Sequence, residues 1–399
     1  MGKNNVLIVG QGYVGLPLAI SAAKSGYFVI GYDTSNHLIE NLKIGISSSP
    51  DILSRDLTRM IESKAYAPTS DISNVVSMDI IVICVPTPLD AAKSPDLTYI
   101  RQSLRDVTHL IKPGILVILE STVATGFTRG TFMSWIHELT GLDPTTISIA
   151  FSPERIDPGN HLWKIENTPK LVAGVDDVSR SKAVSFYSAF IENLVECDSV
   201  EVAESAKLLE NSFRLINISF INEFSIFCSA LNVDVRQVIA ASSTKPYGFM
   251  TFYPSLGVGG HCIPVDPVYL ADKARGVQAP ILSIESALEI NRKLPEYFID
   301  KAENKLDNLV GKKIIIIGVA YKTNSTDVRE TPVLGLIQGL RERGADVVWH
   351  DDLVKDWNGE KSTELNGDFD LAILATPHDN LNLKTLGKVP LLDTHGSLS

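Results

Sequence analysis

Cys262 lies in Gly257-Val258-Gly259-Gly260-His261-Cys262-Ile263-Pro264-Val265-Asp266, a glycine-rich turn that sets one thiol four residues ahead of a carboxylate. A thiolate is a strong nucleophile toward carbonyl carbon and a competent leaving group afterwards. The glycines permit dihedrals and close approaches that a side chain forbids, while Pro264 and Pro267 stiffen the far side of the loop. The competing reading is a buried cysteine acting as a small core residue. A second group recurs further upstream, where Lys207, Asn211 and Arg214 fall at i, i+4 and i+7 and share one helical face. A lysine on such a face is by default a solvated one.

These groups need elements to hold them, and the N-terminus supplies the clearest. Val6 to Val9 reads as a buried strand that runs into Gly10-Gln11-Gly12-Tyr13-Val14-Gly15 and then a helical stretch from Leu16 to Ser25. This is a dinucleotide fingerprint in context: Gly10 for the tight turn, Gly12 for backbone approach to a pyrophosphate, Gly15 for close packing of helix on strand. A second strand, Phe28 to Tyr32, ends at Asp33. A carboxylate there accepts from a ribose 2′-hydroxyl and repels a 2′-phosphate, so the expected cofactor is NAD.

Further strands are expected at 80–85, 116–120, 147–151 and 171–175, alternating with amphipathic segments as in a doubly wound α/β domain over residues 1–198. The loops after them carry Val85-Pro86-Thr87-Pro88, Glu120-Ser121-Thr122 and Ser152-Pro153-Glu154-Arg155, where an open α/β sheet binds its ligands. Residues 199–305 open with a long helix whose Val202, Ala206, Leu209, Phe213, Ile216, Phe220, Phe224 and Phe227 form one apolar stripe. That stripe predicts a contact between subunits and a homodimer. Residues 306–399 restart the strand pattern at Lys312 to Gly318 and Ala345 to Asp351, without the full glycine fingerprint. Something other than a dinucleotide is expected on that third domain, and Lys322 and Arg329 could neutralise a phosphate. The fold class is therefore α/β, with two Rossmann-like doubly wound domains joined by a helical central domain.

Composition narrows the function. With 399 residues, 44% hydrophobic, 21% charged and a net charge of −11, the chain reads as an acidic globular protein of two or three domains, unsuited to nucleic acid. Four cysteines without a CxxC pair argue against disulfides and a thiolate metal site, and point to the cytoplasm. No apolar run is long enough for a membrane span.

Taken in order, these motifs, together with Glu204 to Asn211 and Gly318-Val319-Ala320-Tyr321-Lys322 followed by Asp327 and Arg329, resemble the nucleotide-sugar 6-dehydrogenase family of the UDP-glucose/GDP-mannose type across essentially the whole chain. The resemblance implies NAD-dependent oxidation of a sugar CH2OH to a carboxylate in two hydride transfers, with Cys262 carrying a thiohemiacetal and then a thioester. It further implies that Lys207 stabilises oxyanion character at C6, Asp266 with Thr122 holds or activates water, Glu154 assists at the reacting carbon and Asn211 binds substrate. By the same resemblance Gly10, Gly12, Tyr13, Val14, Gly15, Asp33, Pro86, Thr87, Thr122 and Arg329 meet the cofactor. Glu154, Arg155, Lys207, Asn211, Tyr253, Gly259 and Lys322 meet the UDP-sugar substrate. His261 before the cysteine, Lys245 to Phe249 and Asp157 to Asn160 resemble the branch acting on UDP-N-acetylhexosamines, particularly UDP-N-acetylglucosamine. His395 stands where arginine or asparagine is expected, and no ligand contact is assigned to it. Two other classes stay open: a 3-hydroxyacid dehydrogenase, which Lys207 and Asn211 would also fit, and an NAD-binding protein without turnover.

Overall fold

The computed structural model describes residues 4–157, 160 and 162–396. Pro158 and Gly159, within the segment tied above to the N-acetylhexosamine branch, lie outside the described residues. The chain packs as two compact units with the boundary after Leu209.

The first unit is built on strands β1 (Asn5–Val9), β2 (Phe28–Tyr32), β3 (Tyr66–Thr69), β4 (Ile80–Ile83), β5 (Leu116–Leu119), β6 (Ser148–Phe151), β7 (Lys170–Gly174) and β8 (Leu194–Glu196). Their order is β3-β2-β1-β4-β5-β6-β7-β8, parallel throughout except between β6 and β7. Continuous apolar strands with side chains alternating between faces must be covered on both sides. Leu7, Val9, Ile81, Ile83, Val117 and Leu119 therefore feed one core, and Val6, Ile8, Ile80, Val82, Leu116 and Ile118 the other. Helices α1 (Gly15–Lys24), α2 (Asn36–Lys43) and α3 (Ser54–Glu62) cover the second face, α4 (Thr98–Val107) and α5 (Met133–Thr140) the first, and α6 (Asp177–Tyr187) returns to the second. Strand order reverses beside β1, which opens a crevice outside the carboxyl ends of β1 and β4.

A buried polar trio sits beneath those carboxyl ends. Lys170 Nζ lies 3.1 Å from Glu120 Oε2, with side chains 8% and 2% exposed. The Tyr187 hydroxyl donates to the same carboxylate, and the lysine lies 5.0 Å from the Tyr187 ring centroid. Removing one partner of a buried ion pair strands the other charge. Lys170→Met is expected to lower the unfolding free energy by about 3–5 kcal/mol. Urea unfolding should show Glu120→Gln in the same chain recovering part of that loss.

Helix α7 (Val200–Ala230) starts where the periodicity predicts. Its buried side mixes apolar and polar residues: Ala203, Leu208 and Leu215 are fully buried, and Glu204, Lys207, Ser212, Ser219 and Asn222 are all at most 5% exposed. The apolar stripe faces outward, with Phe220 63% and Phe227 56% exposed.

The second unit continues with α8 (Val235–Ser242), α9 (Asp266–Gly276), α10 (Leu282–Leu306), β9 (Lys313–Ile317), α11 (Val333–Glu342), β10 (Asp346–His350), the small hairpin β11 (Asp356–Trp357) and β12 (Glu360–Lys361), then β13 (Leu371–Leu374) and β14 (Leu391–Asp393). Its main sheet is parallel, in the order β10-β9-β13-β14. The aspartate that ends β10 echoes Asp33 in sequence but not in state. Asp351 is 1% exposed. Its Oδ2 accepts from Val319 N at 2.8 Å, Ala320 N at 3.3 Å and His378 Nε2 at 3.1 Å, while Oδ1 accepts from the Leu353 and Val354 N–H groups. Burial alone would raise this carboxyl, but the bonds from His378 and the backbone hold it well below the usual range.

Candidate active site

The glycine turn after β1 divides its tasks as its spacing predicts. Gly10 adopts φ +90°, and a Cβ there would lie 2.8 Å from the Cys84 carbonyl oxygen. A Cβ on Gly15 would overlap the Gly10 carbonyl oxygen, so only glycine lets α1 start this close to the strand. Gly12 has open space in the same direction. That is the cradle a pyrophosphate needs, with the α1 N-terminus beside it. Asp33 accepts from Gln11 N at 2.8 Å and Ser35 N at 2.9 Å, which fixes a half-exposed carboxylate beside the turn. Tyr13 is 37% exposed. Pro86 is exposed, Val14 half-buried and Thr87 buried. The residues present thus fit a dinucleotide.

Thr122 follows β5 on a half-buried turn, anchored by Ser121, whose hydroxyl donates to Val85 O at 2.7 Å. The chain beyond it is pinned by Glu204 of α7, which accepts from Gly126 N at 2.5 Å and Thr128 N at 2.8 Å. Burial raises the Glu204 carboxyl despite those bonds. Glu204 is a positioning residue that residue pattern alone did not single out, although it stands one turn before Lys207. Lys207 is not a solvated lysine: its Nζ donates to Glu154 O at 2.7 Å and lies 3.9 Å from Glu154 Oε2. The carboxylate of Glu154 also accepts from Ile156 N, and Arg155 donates to Pro169 O at 2.7 Å. The first unit therefore brings Lys207 and Glu154 together directly.

In the second unit the thiol turn is held from several directions. Val258 N donates to Asn291 Oδ1 at 2.7 Å, and Val258 packs with Leu215 of α7 and Ala287 of α10. Gly257 adopts φ +143° with Asn291 Oδ1 where a Cβ would go. Cys262 is exposed, and none of the four cysteines is disulfide-bonded. Its carbonyl accepts from Asp266 N at 2.8 Å at the start of α9, whose positive end favours negative charge one turn upstream. Asp266 is 2% exposed and accepts from Asn211 Nδ2 at 2.5 Å. The thiol turn is thus joined through its backbone to Asp266, and Asp266 to the Asn211 amide. Gly259 is packed rather than open: a Cβ would lie 2.5 Å from Tyr321 Cβ.

Lys322 is half-buried, and Arg329 is turned onto its own loop, donating to both oxygens of Asp327. Burial would raise Asp327, but the Arg329 bonds win and hold it below its ordinary value. The cofactor reading of Arg329 places it in the second unit, while the glycine fingerprint belongs to the first. Burial and the nearby Arg329 charge both lower His261. Tyr253 is 52% exposed and stacks under the Arg236 guanidinium at 4.7 Å. His395 is pushed down to about 4 by burial, its carbonyl accepting from Arg236. No group of metal-ligating side chains occurs among the described residues. No helix among them is long and apolar enough to cross a membrane.

Three models of the UDP-glucose/GDP-mannose dehydrogenase family match the chain: the NAD-binding domain over residues 4–191, the central domain over 201–293 and the UDP-binding domain over 315–396. The chain is 30% identical over 396 residues to UDP-N-acetyl-D-mannosamine dehydrogenase of Pyrococcus horikoshii, covering 96% of this chain and 92% of that one. It is 31% identical over 406 residues to UDP-N-acetyl-D-glucosamine 6-dehydrogenase of Pseudomonas aeruginosa, covering 96% and 94%. The solved structure of UDP-D-ManNAc dehydrogenase from Pyrococcus horikoshii superposes with a TM-score of 0.89 at 28% identity, over 98% of this chain and 95% of that one. With the glycine cradle, the paired Lys207 and Glu154 and the exposed thiol in view, these matches identify the chain as a member of the UDP-glucose/GDP-mannose dehydrogenase family, an NAD-dependent nucleotide-sugar dehydrogenase.

Proposed function

We propose that the chain oxidises the C6 hydroxymethyl of a UDP-N-acetylhexosamine, foremost UDP-N-acetylglucosamine, to the uronic acid through a thioester on Cys262. The observation that carries this is the exposed thiol on a turn anchored by Asn291, with the Asn211–Asp266 pair one helical turn away. Bound NAD supplies the hydride acceptor. In the first oxidation a hydride leaves C6 and the hydroxyl proton goes to a base, giving an aldehyde. The Cys262 thiolate adds to that carbon, and Lys207 opposes the oxyanion that develops on its oxygen. Loss of the second hydride leaves the thioester. Asp266 with Thr122 directs a water to it, the C–S bond breaks, and acid and thiolate are released. Glu154 keeps Lys207 aimed, since backbone and side chain of the same residue face its ammonium.

The relatives compared above act, by name, on UDP-N-acetylmannosamine and UDP-N-acetylglucosamine. The sugars differ only in configuration at C2, and an acetamido-shaped site disfavours UDP-glucose because its polar partner is left unpaired. An NADH-release assay over UDP-N-acetylglucosamine, UDP-N-acetylmannosamine, UDP-glucose and GDP-mannose should give two NADH per sugar, with the highest kcat/KM on the first. A preference for GDP-mannose or UDP-glucose would overturn the substrate reading. The 3-hydroxyacid reading finds no support in a chain matched by a UDP-binding domain model.

We further infer that α7 pairs with a second copy. Phe220, Phe224 and Phe227 pack ring on ring along its outer face. Phe220→Glu with Phe227→Glu should shift the sedimentation mass from two chains to one. An unchanged mass would place the interface elsewhere. Thiol chemistry without disulfides suits a reducing compartment such as the cytoplasm.

A further inference from the structure

The thiol turn and the loop after β9 are built into one another. Gly260 N donates to Arg329 O at 2.9 Å. A Cβ on Gly260, whose φ is +81°, would lie 2.7 Å from the Tyr321 ring, and one on Gly259 would lie 2.9 Å from Glu330 O. The loop carrying Tyr321 is closed by its own contacts, with Tyr321 N donating to Asp327 O at 3.0 Å. It is tied back to the sheet by Asn324 N, which donates to His378 Nδ1 at 3.0 Å. Beyond the ring lies a cavity of about 20 Å³ lined by Ser255, Gly257, Tyr321, Pro332 and Thr376 among others, room for about one water. A run of glycines has no side chains with which to define its own shape. Here the shape is imposed by the Tyr321 ring, and the residue after Tyr321 is Lys322.

We infer that Tyr321 is a positioning residue that couples occupation of the loop bearing Lys322 by a nucleoside diphosphate to the placement of the Cys262 thiol. This rests on the nucleotide-sugar reading above. A diphosphate drawing on Lys322 moves or stiffens the adjacent ring, and the glycine turn pressed against that ring carries the change to the sulfur. The thiol is then set for attack when a nucleotide is seated, and a free aldehyde meets it in a different state. The coupling should appear with UDP alone, without sugar or NAD.

The test measures the rate at which iodoacetamide alkylates Cys262, followed by peptide mass, with and without saturating UDP, while calorimetry records UDP binding to each variant. In the unaltered chain UDP should change the rate about fivefold or more. Tyr321→Ala should still bind UDP and lose the change, and Tyr321→Phe, which keeps the ring, should restore it. Gly260→Ala, whose methyl would press on the ring, should alter the rate without UDP, and adding Tyr321→Ala should relieve part of that alteration. A UDP effect that survives in Tyr321→Ala would mean shielding of the sulfur by ligand and would overturn the coupling. UDP binding without any rate change in the unaltered chain would overturn it while leaving the substrate reading intact, whereas failure to bind UDP would overturn both. If Tyr321→Ala does not fold, a Gly260→Ala chain that alkylates like the unaltered one with and without UDP is the contrary result.

Discussion

Cys262→Ala should form no uronic acid from the preferred UDP-sugar, with net NADH production falling to background. The reason is chemical: in the proposed mechanism the second hydride leaves a tetrahedral carbon, and the thiol supplies the bond that makes the aldehyde tetrahedral and then departs as a stable anion. Cys262→Ser should add to the aldehyde yet hydrolyse poorly, because alkoxide is the worse leaving group. Mass spectrometry of that variant after incubation with substrate and NAD should show one added sugar nucleotide. The side chain is exposed and carries no core packing, so both variants should unfold at the denaturant concentration of the unaltered chain. Full acid formation by Cys262→Ala would end the covalent mechanism.

The second large effect is expected at Lys207. Its side chain is 7% exposed and its ammonium is held by Glu154, so in the proposed mechanism it would meet the reacting carbon already oriented. Charge that appears only along the reaction path is where a preorganised cation acts, which places the loss in kcat rather than in cofactor affinity. Lys207→Ala should lower kcat by about 10²–10³-fold, the usual cost of deleting one preorganised donor to an oxyanion, with the KM for NAD little moved. The removed side chain is also buried, so urea unfolding belongs beside the kinetics. A kcat within a factor of two of the unaltered chain, in a folded variant, would remove Lys207 from the chemistry.

Much of this site was readable without coordinates because its parts are backbone devices with strict residue requirements. Gly10 and Gly15 are glycines because of what a Cβ would strike, and that demand is visible as spacing. Strand β3 was not legible, since Pro68 lies inside it; the fold tolerates the proline because β3 is an edge strand of the sheet. The periodicity of α7 gave its apolar stripe and offered it as a subunit contact, and Leu209, Phe220 and Phe227 of that stripe are exposed. Polar Glu204 and Asn222 turned out to be buried, because backbone N–H groups of distant loops bond to them, partners that no local pattern announces. The packing of Gly260 on Tyr321 joins residues far apart in sequence, and nothing near either one signals the other.

The consumed carboxylate at the end of β10 bears on timing. Asp351 is buried with both oxygens bonded inside the protein, whereas Asp33 of the first sheet is half-exposed, which leaves Asp33 as the proposed ribose acceptor. If the proposed two-hydride oxidation uses the one dinucleotide cradle found among the described residues, reduced cofactor must leave and oxidised cofactor arrive between the two transfers. The half-oxidised sugar has to outlast that exchange. In the proposed mechanism a bond to sulfur gives it a lifetime set by chemistry rather than by diffusion, so the dwell time of NADH would bound how long the adduct at Cys262 must survive.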